Sequence, residues 1–160
     1  MIKVIDNFLE EDIFKEIEKI LMSDKFPWFY NDFKNDSDDI NNFQFTHTVV
    51  RGNGNVESKF IQYMKPFFDK LNIKKIFRIK INLTTRTQKS FNHLYHTDVS
   101  FKCLTAIFYI NSNNGKTIFK NGEEINSVAN RMLIFNSNLE HAATSHTDEK
   151  TRVVINFNFE

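Results

Sequence analysis

His96-Thr97-Asp98, His141 and Arg152 are the residues whose types and spacing could do chemistry in this chain. Two imidazoles and one carboxylate make three ligands for a single divalent cation and leave coordination positions open for other molecules. Strand side chains alternate with period two, so His96 and Asp98 fall on one face if they lie on a strand. His141 is far enough along for the chain to make several strands and return beside that pair. Arg152 follows after one turn and a strand back, and a fixed guanidinium there can grip a carboxylate through two parallel hydrogen bonds.

The elements that must position these groups read most clearly in the second half. Phe77, Ile79, Ile81 and Leu83 alternate with Arg78, Lys80 and Asn82, one face apolar and the other polar. The last strand, 151–159, puts Arg152, Val154, Asn156 and Asn158 on one face and Val153, Ile155, Phe157 and Phe159 on the other. Such a wall has a site inside and packs under helices outside, because Arg and Asn buried without partners are costly. Residues 103–111 form an apolar strand, Asn113-Asn114-Gly115 reads as a hairpin turn and Asn121-Gly122 as another. Short strands at 117–119, 131–135, 141–145 and 151–159 complete a succession that indicates an antiparallel sandwich or jelly roll.

The first half is expected to be mostly helical support. Residues 2–5 read as a strand, with Asp6 or Asn7 as the cap of a helix carrying Leu9, Ile13, Ile17, Ile20 and Leu21 on one stripe. Phe26 to Tyr30 is an aromatic cluster read as core, and 31–42 an acidic, Asn-rich surface loop. Residues 43–50 alternate as a strand. Residues 56–71 return to helical spacing, kinked or split at Pro66.

The remaining candidates have milder readings. The basic residues of 74–89 are read mainly as a polar strand face, with a positive rim for an acidic ligand as the sharper alternative. His47 reads as structural, His93 as orienting a loop or touching substrate, and His146, in a polar turn, as exposed. Cys103 reads as a small buried residue.

The length of 160 residues fits one domain, and 41% apolar residues with 18 Phe indicate a globular core. A net charge of +1 gives no general field toward nucleic acid or a membrane. The start lacks the apolar run of a signal peptide, and one cysteine suits a reducing cytoplasm, so a cytoplasmic protein is expected.

Two histidines and a carboxylate around open positions are the ligand set of non-haem Fe(II) oxygenation. A zinc hydrolase could use the same three, but leaves Arg152 without a role. Taken in order, the HxD pair, a strand ending Tyr109-Ile110-Asn111, then Asn114-Gly115-Lys116-Thr117-Ile118-Phe119, then His141 and Arg152 resemble the 2-oxoglutarate- and Fe(II)-dependent oxygenases. The prolyl 4-hydroxylase-like branch, with its short phage-encoded members, is the most similar. The likeness covers 76–159 and the opening Val4-Ile5-Asp6-Asn7-Phe8-Leu9. It departs at Asn114-Gly115, where paired glycines are common, and at Asn82-Leu83, where a tyrosine is frequent.

The resemblance implies a mainly β fold with flanking helices (α+β), a double-stranded β-helix or jelly roll. It forms one domain over 1–160, with support from 1–75 and a core from 76–159. It implies Fe(II) held by His96, Asp98 and His141, and 2-oxoglutarate gripped at its far carboxylate by Arg152 with Tyr109. Strand alternation adds Asn82 and Asn156 to the same pocket. The expected activity is C–H hydroxylation using O2 and 2-oxoglutarate, with ascorbate as a supporting reductant. A protein or peptide substrate leads, with proline the first residue to test, in the cytoplasm of a host if the protein is viral. The alternatives are an oxygenase for a small molecule or nucleobase, and a metal-holding jelly-roll binding module without turnover.

Overall fold

The computed structural model describes residues 1–32 and 42–160. Most of the loop expected over 31–42 therefore lies outside the described residues. In chain order the elements are β1 (Ile2–Ile5), α1 (Glu11–Leu21), β2 (Phe29–Asn31), β3 (Gln44–Val50), a 3-10 helix (Lys59–Met64), α2 (Lys65–Leu71) and β4 (Ile76–Thr85). There follow β5 (Leu104–Tyr109), β6 (Lys116–Phe119), β7 (Glu124–Asn126), β8 (Arg131–Asn136), β9 (His141–Ala143) and β10 (Thr151–Phe159).

Seven strands form one antiparallel sheet in the order β1-β8-β5-β10-β4-β3-β2, and three form a second, β7-β6-β9. The jelly roll and its flanking helices are as expected. Strands from before residue 76 do more than support it, however: β1 forms one edge of the larger sheet, and β3 and β2 extend the other. A pattern of isolated apolar residues does not reveal sheet membership, because edge pairing is decided by the strand next door.

The two faces of the larger sheet bury different things. Ile79, Ile81, Ala106, Phe108, Val153, Ile155 and Phe157 pack with Phe14, Ile17 and Leu21 of α1 and with Phe67 of α2 in one apolar core. On the opposite face Ile107, Tyr109, Phe135 and Val154 join Phe119 of the smaller sheet in a second. Phe108 sits at the centre of the first, with rings of Phe8, Phe14 and Phe67 at 6.1, 6.1 and 4.9 Å.

Local details correct two readings and bear out a third. Neither Asp6 nor Asn7 caps α1. The helix starts later, Asp6 accepts from Arg131 at 2.6 and 3.1 Å, and Asn7 turns the chain at φ 50°. Asn130 clamps that corner instead, its amide exchanging bonds of 2.9 Å with the Leu9 backbone. The helical spacing over 56–71 is split: the 3-10 turn comes first, and Pro66 opens α2, where a missing N–H leaves no bond unmade. Finally, Asn113-Asn114-Gly115 closes no hairpin. It carries the chain from β5 in one sheet to β6 in the other.

Replacing Phe108 by Ala should lower stability by about 3–5 kcal/mol. The check is a urea denaturation curve whose midpoint falls while its slope is unchanged.

Candidate metal and anion site

Between the two sheets lies a polar hollow of about 610 Å³, counted out to its open mouth. Its walls are the inner rows of two paired strands. In β10 against β4, Arg152 stands opposite Thr84, Val154 opposite Asn82 and Asn156 opposite Lys80. All six line the hollow, with Ile107 of β5, Thr117 of β6 and His141 of β9.

His96, Asp98 and His141 come together at this hollow, offering ligand atoms that all lie within 4.8 Å of one another. Backbone pairing places the histidines: His96 N–H donates to the His141 carbonyl at 2.9 Å, and His141 N–H returns the bond at 3.0 Å. Their rings lie side by side at 4.7 Å. Asp98 is not on a strand beside His96, as period-two spacing suggested, but in a bend that turns its carboxylate inward.

The imidazoles are oriented for a cation. The Nδ1 atoms of His96 and His141 lie 3.3 and 3.1 Å from the backbone carbonyls of Leu94 and Leu139. A carbonyl only accepts, so each Nδ1 carries the hydrogen and Nε2 is the atom each ring can offer to a cation. Those Nε2 atoms stand 3.8 and 4.0 Å from the two oxygens of Asp98. The side chains of Asp98 and His141 are only 4% exposed, and Asp98 Oδ2 is buried without a hydrogen bond. A buried carboxylate whose two oxygens each face an imidazole Nε2 is stabilised by a cation. Sequence reasoning missed the residue that steadies Asp98. Arg78 of β4 donates to its carbonyl at 3.3 Å and to its carboxylate at 3.4 Å.

Arg152 lies apart from these ligands on the same hollow and is 5% exposed. Its Nε donates to Ser127 Oγ at 2.8 Å and its Nη2 to Thr117 Oγ1 at 3.4 Å. It forms no ion pair among the described residues, and burial draws its pKa below the ordinary arginine value. A buried guanidinium with N–H groups to spare is a seat for an anion.

Tyr109 is buried but does not line the hollow. Its ring lies under the Arg152 guanidinium at 5.6 Å, and its hydroxyl donates to Thr117 Oγ1 at 2.8 Å. Thr117 thus accepts from both and has its own proton left to donate into the hollow. Burial pushes the Tyr109 phenol up from its ordinary value, so it stays a donor. Asn82 and Asn156 do line the hollow, and the amide oxygen of each is buried without a hydrogen bond. Lys80, read as an ordinary polar strand residue, lines it as well.

The other histidines are structural in position. His47 is held between the Pro27 carbonyl at 2.8 Å and Ser58 Oγ at 2.6 Å. His93 is buried beside Phe91, its N–H bonded to the Ala143 carbonyl. His146 is buried rather than exposed: the polar turn around it folds over the barrel, and its carbonyl accepts from Thr87. Of segment 84–95, Thr84 borders the hollow, and Thr85, Thr87, Phe91 and His93 line an adjoining one.

No family model matches the chain, and no curated protein matches it in sequence. Solved structures do match in shape. A prolyl hydroxylase from Trichoplax adhaerens, solved with a hypoxia inducible factor peptide, superposes at TM-score 0.67 and 12% identity, covering 99% of this chain and 83% of its own. The viral collagen prolyl hydroxylase of Paramecium Bursaria Chlorella virus-1, as its 2OG complex, gives 0.57 and 14%, over 98% and 94%. The non-heme alpha ketoglutarate dependent epimerase SnoN of nogalamycin biosynthesis gives 0.70 and 10%, over 99% and 75%. The chain therefore has the jelly-roll fold found in 2-oxoglutarate/Fe(II) oxygenases. No helix among the described residues is long and apolar enough to cross a membrane.

Two outcomes are expected. His141→Ala should weaken Mn(II) binding by at least about 100-fold in a titration followed by electron paramagnetic resonance, since a ligand is lost outright. Gly115→Ala should leave that binding unchanged but displace Arg152. A Cβ there would stand 2.8 Å from Asn113 Oδ1 and 3.0 Å from Arg152 Cδ. Weaker anion affinity with intact metal affinity is the signature to measure.

Proposed function

We propose that the protein is a 2-oxoglutarate- and Fe(II)-dependent dioxygenase that hydroxylates a C–H bond, with a protein or peptide as substrate and proline the first residue to test. The observation that carries this reading is one hollow holding two separate features, a His-Asp-His cluster and a buried Arg152 that forms no ion pair among the described residues. The prolyl hydroxylases among the structures of like fold support the substrate class.

The residues fit the implied group. His96 Nε2, Asp98 and His141 Nε2 would hold Fe(II), and the unpartnered Asp98 oxygen is the atom a cation would neutralise. When bound, Fe(II) with 2-oxoglutarate and O2 supplies oxidative decarboxylation to succinate and CO2 coupled to hydroxylation, with ascorbate as supporting reductant. The chain's own part is positional. Arg152 and the Thr117 hydroxyl grip the far carboxylate of the cosubstrate. Tyr109 holds both from behind: its hydroxyl fixes Thr117 and its ring supports the guanidinium. Asn82 and Asn156 present amides to whatever fills the middle. Ile107 and Val154 exclude water from that end of the hollow, which strengthens each polar contact there.

Incubation with Fe(II), ascorbate, 2-oxoglutarate and prolyl peptide pools should yield a product heavier by one oxygen atom on mass spectrometry. Absence of product across the pools, with 2-oxoglutarate still converted to succinate, would count against proline while leaving the oxygenase. Arg152→Ala should keep metal binding and lose about 100-fold in 2-oxoglutarate affinity, measured by calorimetry on Mn(II)-loaded protein.

A further inference from the structure

Lys80 has no role in the reading above, and its position gives it one. It sits mid-strand on β4, lines the hollow and is mostly buried, yet makes no hydrogen bond or ion pair among the described residues. Burial first, and the neighbouring Arg78 cation second, pull its ammonium below the ordinary lysine value, while Asp98 opposes them. Lysine is seldom buried without a partner, because an ammonium loses its hydration.

The charges around the hollow do not balance. Its lining carries three cations, Arg78, Lys80 and Arg152, against one carboxylate, Asp98, and Arg78 is already turned onto Asp98. A divalent ion and a doubly charged 2-oxo dicarboxylate would cancel each other, so an excess of two positive charges remains after both are bound. Arg152 and Lys80 also stand on rows four residues apart on the paired strands, about 13 Å along the sheet. They are separate seats. Beside Lys80, the buried amide oxygens of Asn82 and Asn156 have no donor, and amide N–H groups would supply one.

We propose that Lys80 is a specificity-determining residue that receives a carboxylate of the substrate, and that the substrate is an acidic peptide whose N–H groups meet Asn82 and Asn156. This rests on the oxygenase reading and narrows its substrate class. The carboxylate comes from an acidic side chain or from a free C-terminus, and both present the same chemistry to the ammonium.

The test is calorimetric, on Mn(II)-loaded protein with 2-oxoglutarate bound. Prolyl tetrapeptides are compared in pairs that differ only by Asp against Asn, or by a free against an amidated C-terminus. The acid of at least one pair should bind the wild type about tenfold more tightly than its neutral partner, and the pair that does so identifies the source. Lys80→Met should erase that preference while 2-oxoglutarate affinity stays within about twofold of wild type, and Lys80→Arg should keep the preference. Equal binding of acid and neutral peptides, including no binding of either, overturns the inference. So does a preference that survives Lys80→Met. A Lys80→Met protein that loses 2-oxoglutarate affinity assigns the residue to the cosubstrate and also overturns it. Wild-type protein that takes Mn(II) but no 2-oxoglutarate overturns the oxygenase reading itself, and this inference with it.

Discussion

The register of β10 on β4 is the constraint on which the rest depends. A one-residue slip would exchange the two faces of a strand. Val153, Ile155 and Phe157 would then face the polar hollow, and Arg152 and Asn156 would be driven into the core under α1 and α2. The apolar face locks that register, because its residues are almost wholly removed from water. The helices thus act on the site indirectly: by burying one face they commit the other to stay polar.

What that polar face lacks is equally informative. Natural cores satisfy nearly all buried polar groups. Here Asp98 Oδ2, Asn82 Oδ1 and Asn156 Oδ1 are buried without hydrogen bonds, and all three belong to residues lining one hollow. Arg152 adds a buried charge that forms no ion pair among the described residues. Such groups, gathered in one place, describe the complement of a ligand more closely than any contact within the protein does.

The chemistry was more legible in the amino-acid sequence than the scaffolding that holds it. His96, Asp98, His141 and Arg152 stand out because few residue types ligate metals or fork onto carboxylates, and β4 and β10 alternate so regularly that their inner rows could be read directly. Arg78 and Lys80 follow the same alternation, which reads as a polar strand face as readily as a positive rim for an acidic ligand; the second sheet, closing over them, makes them part of a site. Tyr109 was placed on the right strand, but its hydroxyl is turned to Thr117, a detail of packing that no spacing records. His146 looked exposed because its neighbours are polar, and it is buried because that turn folds back over Gly115 and Thr87. The crossing from β5 to β6 looked like a hairpin because Asn and Gly mark any tight turn, whichever sheet the chain enters next.

The most direct measurement of the central claim is a crystal structure of the protein with Mn(II) and 2-oxoglutarate, read from anomalous difference density. The account predicts one ion directly coordinated by His96 Nε2, an Asp98 oxygen and His141 Nε2, with the far carboxylate of 2-oxoglutarate on the Arg152 guanidinium. An ion bound elsewhere, or imidazoles turned away from Asp98 in its presence, would contradict it.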